Sequence, residues 1–268
     1  MINYKDISNC LKSIGVSEGD ICLFHSSFKS LGEVDGGAAA VIKGFDDAVG
    51  ESGTVVVPTL CSEDFFNSYN TWHLDKKSDV GYLTEYFRKL PDAIRSDHAT
   101  HSVAARGPLA RELTFEHSAY GPHLCPFGEY AFADSSPWMK MYKKNAKIVF
   151  VGVTMKYNTM KHLIEATVTE KLLADIDDLQ KRAEMNARLQ TFDNRWEGVW
   201  LYYKSDVMQE HLDSLGLVRR AKCGNAELIC VDAKTTNDEA IRELLANPEK
   251  WYTDNRLQWI LDCKKNTR

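Results

Sequence analysis

The chain has 268 residues, 44% of them hydrophobic and 26% charged, with a formal net charge of −5. That balance is globular, and the length allows a buried core without help from metal or disulfides. Lys and Arg form no long run, which argues against a nucleic-acid protein, and the mild acidic excess is compatible with a cationic ligand.

The seven cysteines, at 10, 22, 61, 125, 223, 230 and 263, are odd in number, widely spaced and without a CxxC pair. This is the pattern of a reducing compartment, not of a zinc knuckle or a disulfide framework. The N-terminus shows no apolar signal core, and no apolar run approaches bilayer length. The expectation is a soluble, cytoplasmic protein with neither nucleic acid nor membrane as partner.

Ile7, Leu11 and Ile14 recur at helical spacing over residues 4–14, and Gly15 closes the segment. Ile21 to Phe24 reads as a short buried strand. It enters the stretch His25-Ser26-Ser27-Phe28-Lys29-Ser30-Leu31-Gly32-Glu33-Val34-Asp35-Gly36-Gly37, and a helix follows from Ala38 to Val49. Strand, small polar loop and helix in that order make an anion cradle. Loop N–H groups, a helix N-terminus, three serine hydroxyls and Lys29 all favour phosphate. The residues alone point to the phosphates of a nucleotide-like cofactor, or to a plain connection.

Gly53 to Thr59 is β-branched and apolar on both faces, the signature of a central covered strand. The αβαβ order favours a layered α/β fold. Residues 60–80 keep no period and read as a long loop carrying Glu63 and Asp64. Tyr82 to Lys89 and 108–118 read as helices. Between them His98 and His101 sit in a turn that leads to a short strand. Gly121 to Gly128 is loop, and Ser136-Pro137-Trp138 starts a helix.

Lys147 to Val153 is a second central strand. Asn158 or Thr159 then caps a helix running past Lys171, with His162 and Glu165 on one face. Open α/β sheets collect ligands at such strand ends. Residues 174–217 read as a mixed insertion, helical over Asp206 to Leu215. Ala226 to Ala233 is a last strand, and Asn237 to Leu245 a last helix. One domain is the simplest organisation, with 60–80 and 170–205 as elaborations.

His162 is the leading chemical candidate, because imidazole titrates near neutrality and Glu165 is placed to orient it. The bland alternative is a surface pair. His98, His101, His117 and His123 match no compact zinc spacing, so no metal is expected. Cys61 and Cys125 are loop cysteines without an elbow motif.

Several segments, taken in order, resemble the aminoglycoside 3-N-acetyltransferase family. They are His25 to Gly32 with Val34, Gly36 and Gly37; Gly53 to Thr59; Arg95-Ser96-Asp97-His98 with His101 to Ala105; and Ser136-Pro137 with Lys140. Gly152-Val153 through Asn158-Thr159, then His162 and Glu165, completes the series, and Gly224-Asn225-Ala226 is a weaker echo. Ala99 stands where the family often has Pro, and the chain after Glu165 matches poorly.

The resemblance implies a three-layer α/β/α sandwich around a central mixed sheet, unlike the commoner N-acetyltransferase fold. It implies acetyl-CoA as donor and direct transfer to an amine, conferring antibiotic resistance. CoA would be held by Ser26, Ser27, Lys29, Ser30, Leu31, Gly32, Val34, Gly36 and Gly37, with Thr59, Ser102 and Val103 beside them. His162, oriented by Glu165, would be the general base. His25 would be structural or cofactor-adjacent.

Backbone N–H groups, or the hydroxyl of Thr59 or Ser102, would meet the developing oxyanion. Glu63, Asp64, His98 and Asn158 would face a cationic amino-sugar acceptor, as would Asp175, Asp177, Asp178 and Glu184 if they are more than solvated charges. Two other readings stay open: acetylation of another amine, such as an amino-sugar nucleotide, and a CoA-binding protein without transferase activity. A homodimer is compatible with all of them.

Overall fold

In the computed structural model the described residues are 1–61, 65–189 and 199–267. Helix α1 (Tyr4–Ser13) starts on a reciprocal capping box. Asn3 Oδ1 accepts from the Lys5 and Asp6 N–H groups at 2.8 and 3.3 Å, and the Asp6 carboxylate accepts from Asn3 N–H at 2.8 Å. Strand β1 (Ile21–Ser26) leads through a 3-10 turn (Phe28–Leu31) into α2 (Gly37–Val49) and then β2 (Thr54–Pro58). There follow α3 (Phe65–Thr71), α4 (Tyr82–Phe87), β3 (Ile94–Arg95), β4 (Val103–Arg106), α5 (Ala110–Thr114) and α6 (Pro137–Lys143). Strand β5 (Lys147–Val151), a second 3-10 turn (Met155–Tyr157) and α7 (Lys161–Ala174) come next. The chain continues with α8 (Leu179–Ala187), α9 (Ser205–Ser214), β6 (Arg219–Cys223), β7 (Ala226–Asp232), α10 (Ala233–Ala246), α11 (Pro248–Trp251) and α12 (Asp254–Lys265).

Among the described residues the strands form one sheet in the order β3-β4-β2-β1-β5-β7-β6. Strand β1 runs parallel to both β2 and β5, and the outer strands are antiparallel. This is the mixed central sheet of the expected α/β/α sandwich. Alternation along β1 explains its two cores. Cys22 and Phe24 join the cluster under α2, with Val41, Ile42 and Phe45, while Ile21 and Leu23 join the cluster under α7, with Leu163, Ile164 and Val168. Phe24 stacks on Phe45 with ring centroids 4.2 Å apart.

Two expectations need correction, and one strand went unread. Residues 60–80 are not all loop: α3 forms there, pinned by long-range bonds from Ser68 Oγ to Cys61 O at 3.0 Å and from Tyr69 Oη to Phe127 O at 2.8 Å. Strand β6 was hidden by its charges. Arg220 pairs with Asp213 and Glu227 across an edge that such charges protect from further pairing. Two helices follow the one read as last, and they bury Trp251 and Trp259. Among the described residues no helix is long and apolar enough to cross a membrane.

Candidate active site

The parallel strands β2, β1 and β5 end side by side, and β1 sits where the connections diverge to its two neighbours. That is the crevice in which open sheets bind ligands. A cavity of about 620 Å³ opens there. Its lining includes His25 and Ser26 from the end of β1, Ser27 and Lys29 from the loop after it, Tyr82 from α4, and Thr159 before α7.

The loop is braced from beneath. Ser30 Oγ donates to Ser27 O at 2.6 Å, and Ser27 N–H donates to Val151 O at 2.9 Å. Gly152, at φ 62°, passes so close that a Cβ there would overlap Ser30 Oγ. The β6–β7 turn supports the other side: Asn225 N–H donates to Leu31 O at 3.1 Å, and a Cβ on Gly224 would overlap that carbonyl. The faint motif at Gly224-Asn225 therefore packs on the anchor loop.

The loop's second half packs and turns the chain into α2. Leu31 is buried in the core, Val34 packs against the same cluster, and Gly32, Gly36 and Gly37 turn the chain with positive φ into α2. Only residues 25–29 of the loop line this cavity.

Thr59, Ser102 and Val103 lie inside the fold. All three are 0% exposed. Thr59 Oγ1 and Ser102 Oγ lie 2.9 Å apart and both accept from Arg95 Nε, at 3.2 and 3.1 Å. The Arg95 guanidinium goes on to bond the carbonyls of Thr59, Leu74 and Lys76. These hydroxyls belong to a structural hub and are not free to meet an oxyanion.

Three residues beyond the cavity-lining Thr159, His162 Nδ1 bonds Glu165 Oε2 at 2.8 Å. The carboxylate side chain is 1% exposed and the imidazole 13%. Trp200 Nε1–H donates to the same oxygen at 3.2 Å. The buried hydroxyls of Tyr203 and Tyr252 have no partner among the described residues, nor has Glu165 Oε1. Burial, and then the Glu165 charge, push both tyrosines far above their ordinary pKa, so they stay neutral. Sequence reasoning missed Trp200, Tyr203 and Tyr252 as carboxylate neighbours. The aromatic run around 200 was visible, but nothing local aimed it at α7.

The rings of Phe127 and Phe132 flank His162, with centroids 5.0 and 5.8 Å away, and His101 stands at right angles to it at 5.8 Å. His98 lies 6.4 Å from His101 and stacks on His117 at 4.6 Å. This cluster is held by ordinary hydrogen bonds. His98 Nδ1 accepts the N–H groups of Thr100 and His101 at 3.2 and 3.0 Å. His117 Nε2–H donates to Ala131 O at 3.1 Å, which leaves Nδ1 to accept from Ser96 Oγ at 2.9 Å. Burial holds all three imidazoles below their ordinary pKa, His117 at about 4.

His98 nevertheless borders a second cavity, of about 550 Å³, with Tyr69, Trp72, Asp97, Glu129 and Tyr130. Asn158 is 1% exposed, and its Oδ1 accepts Met160 N–H at 3.1 Å. The N-cap of α7 is Met160 and has no side-chain cap bond, so the cap expected from Asn158 or Thr159 does not form, and Asn158 Nδ2 is buried without a partner among the described residues. Asp178 caps α8, and Glu184 pairs with Lys181. Glu63 and Asp64 lie outside the described residues. Cys61 and Cys125 are buried, and burial raises both thiols, which disfavours the nucleophilic thiolate.

A part-buried imidazole backed by a buried carboxylate is the equipment of an enzyme that takes a proton from a nucleophile. The family model described as aminoglycoside 3-N-acetyltransferase matches residues 23–244, and the chain belongs to that family. It is 25% identical over 273 residues to the SPbeta prophage-derived aminoglycoside N(3')-acetyltransferase-like protein YokD of Bacillus subtilis (strain 168), covering 94% of this chain and 92% of that protein. It is 28% identical over 179 residues to aminoglycoside N(3)-acetyltransferase III of Salmonella sp, covering 60% of this chain and 59% of that protein. In fold it is similar to AAC-IIIb in binary complex with CoASH, at a TM-score of 0.68 and 18% identity over 94% of this chain and 98% of that one.

Proposed function

We propose that this chain transfers the acetyl group of acetyl-CoA to an amine of an aminoglycoside, at its 3-amino group, directly and with His162 as general base. The observation that carries this reading is the enclosure of Glu165 behind His162 Nδ1. A surface pair would leave both groups in water. An enclosed carboxylate fixes one tautomer, with Nδ1–H toward Glu165 and the Nε2 lone pair toward the crevice.

Acetyl-CoA, when bound, supplies an acetyl group activated as a thioester. Ser26, Ser27 and Lys29 at the mouth of the first cavity offer hydroxyls and a cation to the pantetheine and diphosphate. His162 Nε2 takes the proton that the attacking amine must lose. The new C–N bond replaces the C–S bond, and the departing thiolate takes up a proton in return. The acceptor reading is supported by the second cavity. Asp97 and Glu129 offer charge, and Tyr69, Trp72 and Tyr130 offer ring faces to a cation.

The aromatic share of that lining also favours a second reading, in which the acceptor is an amine other than an aminoglycoside. A thiol-release assay with acetyl-CoA separates the two: turnover with an aminoglycoside panel supports the first, and turnover only with amino-sugar nucleotides or other amines supports the second. Absence of turnover with every amine removes both.

A further inference from the structure

Acyl transfer needs a donor where the thioester oxygen gains charge. The hydroxyls of Thr59 and Ser102 are committed to Arg95 and to each other. We infer that His25 Nε2–H is that donor. The inference rests on the acetyltransferase reading above and adds a residue to it.

His25 is the penultimate residue of β1, the middle strand of the parallel triplet. Alternation puts its side chain on the same face as Ile21 and Leu23, toward the layer that holds α7. Its ring stacks on Phe150, its register partner on β5, with centroids 5.3 Å apart and planes 11° from parallel. The stack fixes the ring at the edge of the 620 Å³ cavity, with Ser26, Ser27 and Thr159 around it.

The residue is 6% exposed, and its Nε2 is enclosed without a partner among the described residues. A buried ring nitrogen left unpaired is unfavourable, and at the wall of a ligand cavity the missing partner is a ligand atom. Burial, with a smaller contribution from the Lys161 charge, lowers the imidazole pKa to about 3. The ring is therefore neutral at pH 7. It carries one N–H, which we place on Nε2, and does not compete with His162 for the amine proton. Thr159, which lines the same cavity, lies two residues before α7, the helix that carries the proposed base.

The experiment uses the full chain and acetyl-CoA labelled with carbon-13 at the thioester carbonyl, without acceptor. On the wild type the carbonyl resonance moves downfield on binding and the carbonyl stretch falls in frequency. His25→Ala loses both shifts, and His25→Gln, which restores an N–H donor, recovers part of them. Should His25→Ala fail to fold, His25→Phe keeps the stacked ring and removes the donor. In steady state the donor-free variant loses about 10²- to 10³-fold in kcat, while KM for acetyl-CoA moves by less than about threefold.

Carbonyl shifts that persist in the donor-free variant overturn the inference. So does a wild-type complex that shows no shift, or a loss confined to CoA affinity with kcat unchanged. Failure of the wild type to bind acetyl-CoA at all removes the parent reading with it. Binding and shift without turnover on aminoglycosides removes only the acceptor.

Discussion

Glu165 holds the His162 imidazole through Nδ1 at 2.8 Å from a position that is 1% exposed. Water does not share that hydrogen bond, and the second one, from Trp200 Nε1–H, keeps the carboxylate from turning. Replacing Glu165 by Gln keeps the shape but removes the charge that stabilises the imidazolium. We expect kcat to fall by about 10²-fold in Glu165→Gln and by about 10²- to 10⁴-fold in His162→Ala. Calorimetry should find CoA binding intact in both. Full activity in His162→Ala would remove it as the base.

Lys29 stands exposed at the mouth of the first cavity. A single surface cation facing a diphosphate contributes modestly and is screened by salt. Lys29→Ala should weaken CoA by about three- to tenfold at low ionic strength, and less at high salt. Acceptor KM should stay near its original value. An unchanged CoA affinity at low salt would count against the contact.

Arg95 ties Thr59, Ser102, Leu74 and Lys76 together through one planar fork. A lysine ammonium cannot span those acceptors. Arg95→Ala and Arg95→Lys should each lose about 3 kcal/mol in urea denaturation, because buried carbonyls are left unpaired. A lysine variant as stable as the wild type would contradict the hub.

Gly152 has no room for a methyl group against Ser30. Gly152→Ala should cost about 2 kcal/mol or more, from overlap and from a positive φ that alanine resists. It should also weaken CoA, because the loop above it shifts. Gly152→Ala combined with Ser30→Gly should recover part of both losses. If the pair is no better than the single variant, the overlap is not the cause.

Acid should unfold this protein early. Burial lowers His25 to about 3 and His117 to about 4, and lowers His98 and His101 in the same direction. Between about pH 6.5 and 4 the unfolded chain therefore binds protons that the folded chain refuses, and stability falls as pH falls. Each such imidazole contributes up to about 1.4 kcal/mol per pH unit in that window. His123, raised by its bond to Glu170, acts in the opposite sense and is outnumbered. Glu85 and Glu239, both lowered to about 2, add their loss only below the ordinary carboxylate range. Urea midpoints at pH 7.5, 6 and 5 should decline steadily, and His117→Gln should flatten the decline. A midpoint constant from pH 7.5 to 5 would refute this account.

Much of this was legible along the chain. The β-branched run Val55-Val56-Val57 and the run Ile148-Val149-Phe150-Val151 could be covered central strands and little else, and they are. His162 and Glu165 three apart on a helix just past such a strand were expected to face one another, and they are bonded at 2.8 Å. Local pattern failed where long-range contacts decide. The α3 segment is only seven residues long and is held by bonds to Cys61 and to Phe127, which is 58 residues from Tyr69. The hydroxyls of Thr59 and Ser102 looked free in the sequence because Arg95, 36 and 7 residues away, cannot be seen to reach them.

By itself the sequence determined the layered α/β order, the family, and the proximity of imidazole to carboxylate, because those depend on period, spacing and chain order. Only the tertiary structure decided which of the serines, threonines and histidines remain available for chemistry. Availability is set by burial and by partners distant in sequence. Those effects tie the Thr59 and Ser102 hydroxyls to Arg95, bury Glu165, and leave His25 neutral with Nε2 unpartnered among the described residues at the wall of the cavity.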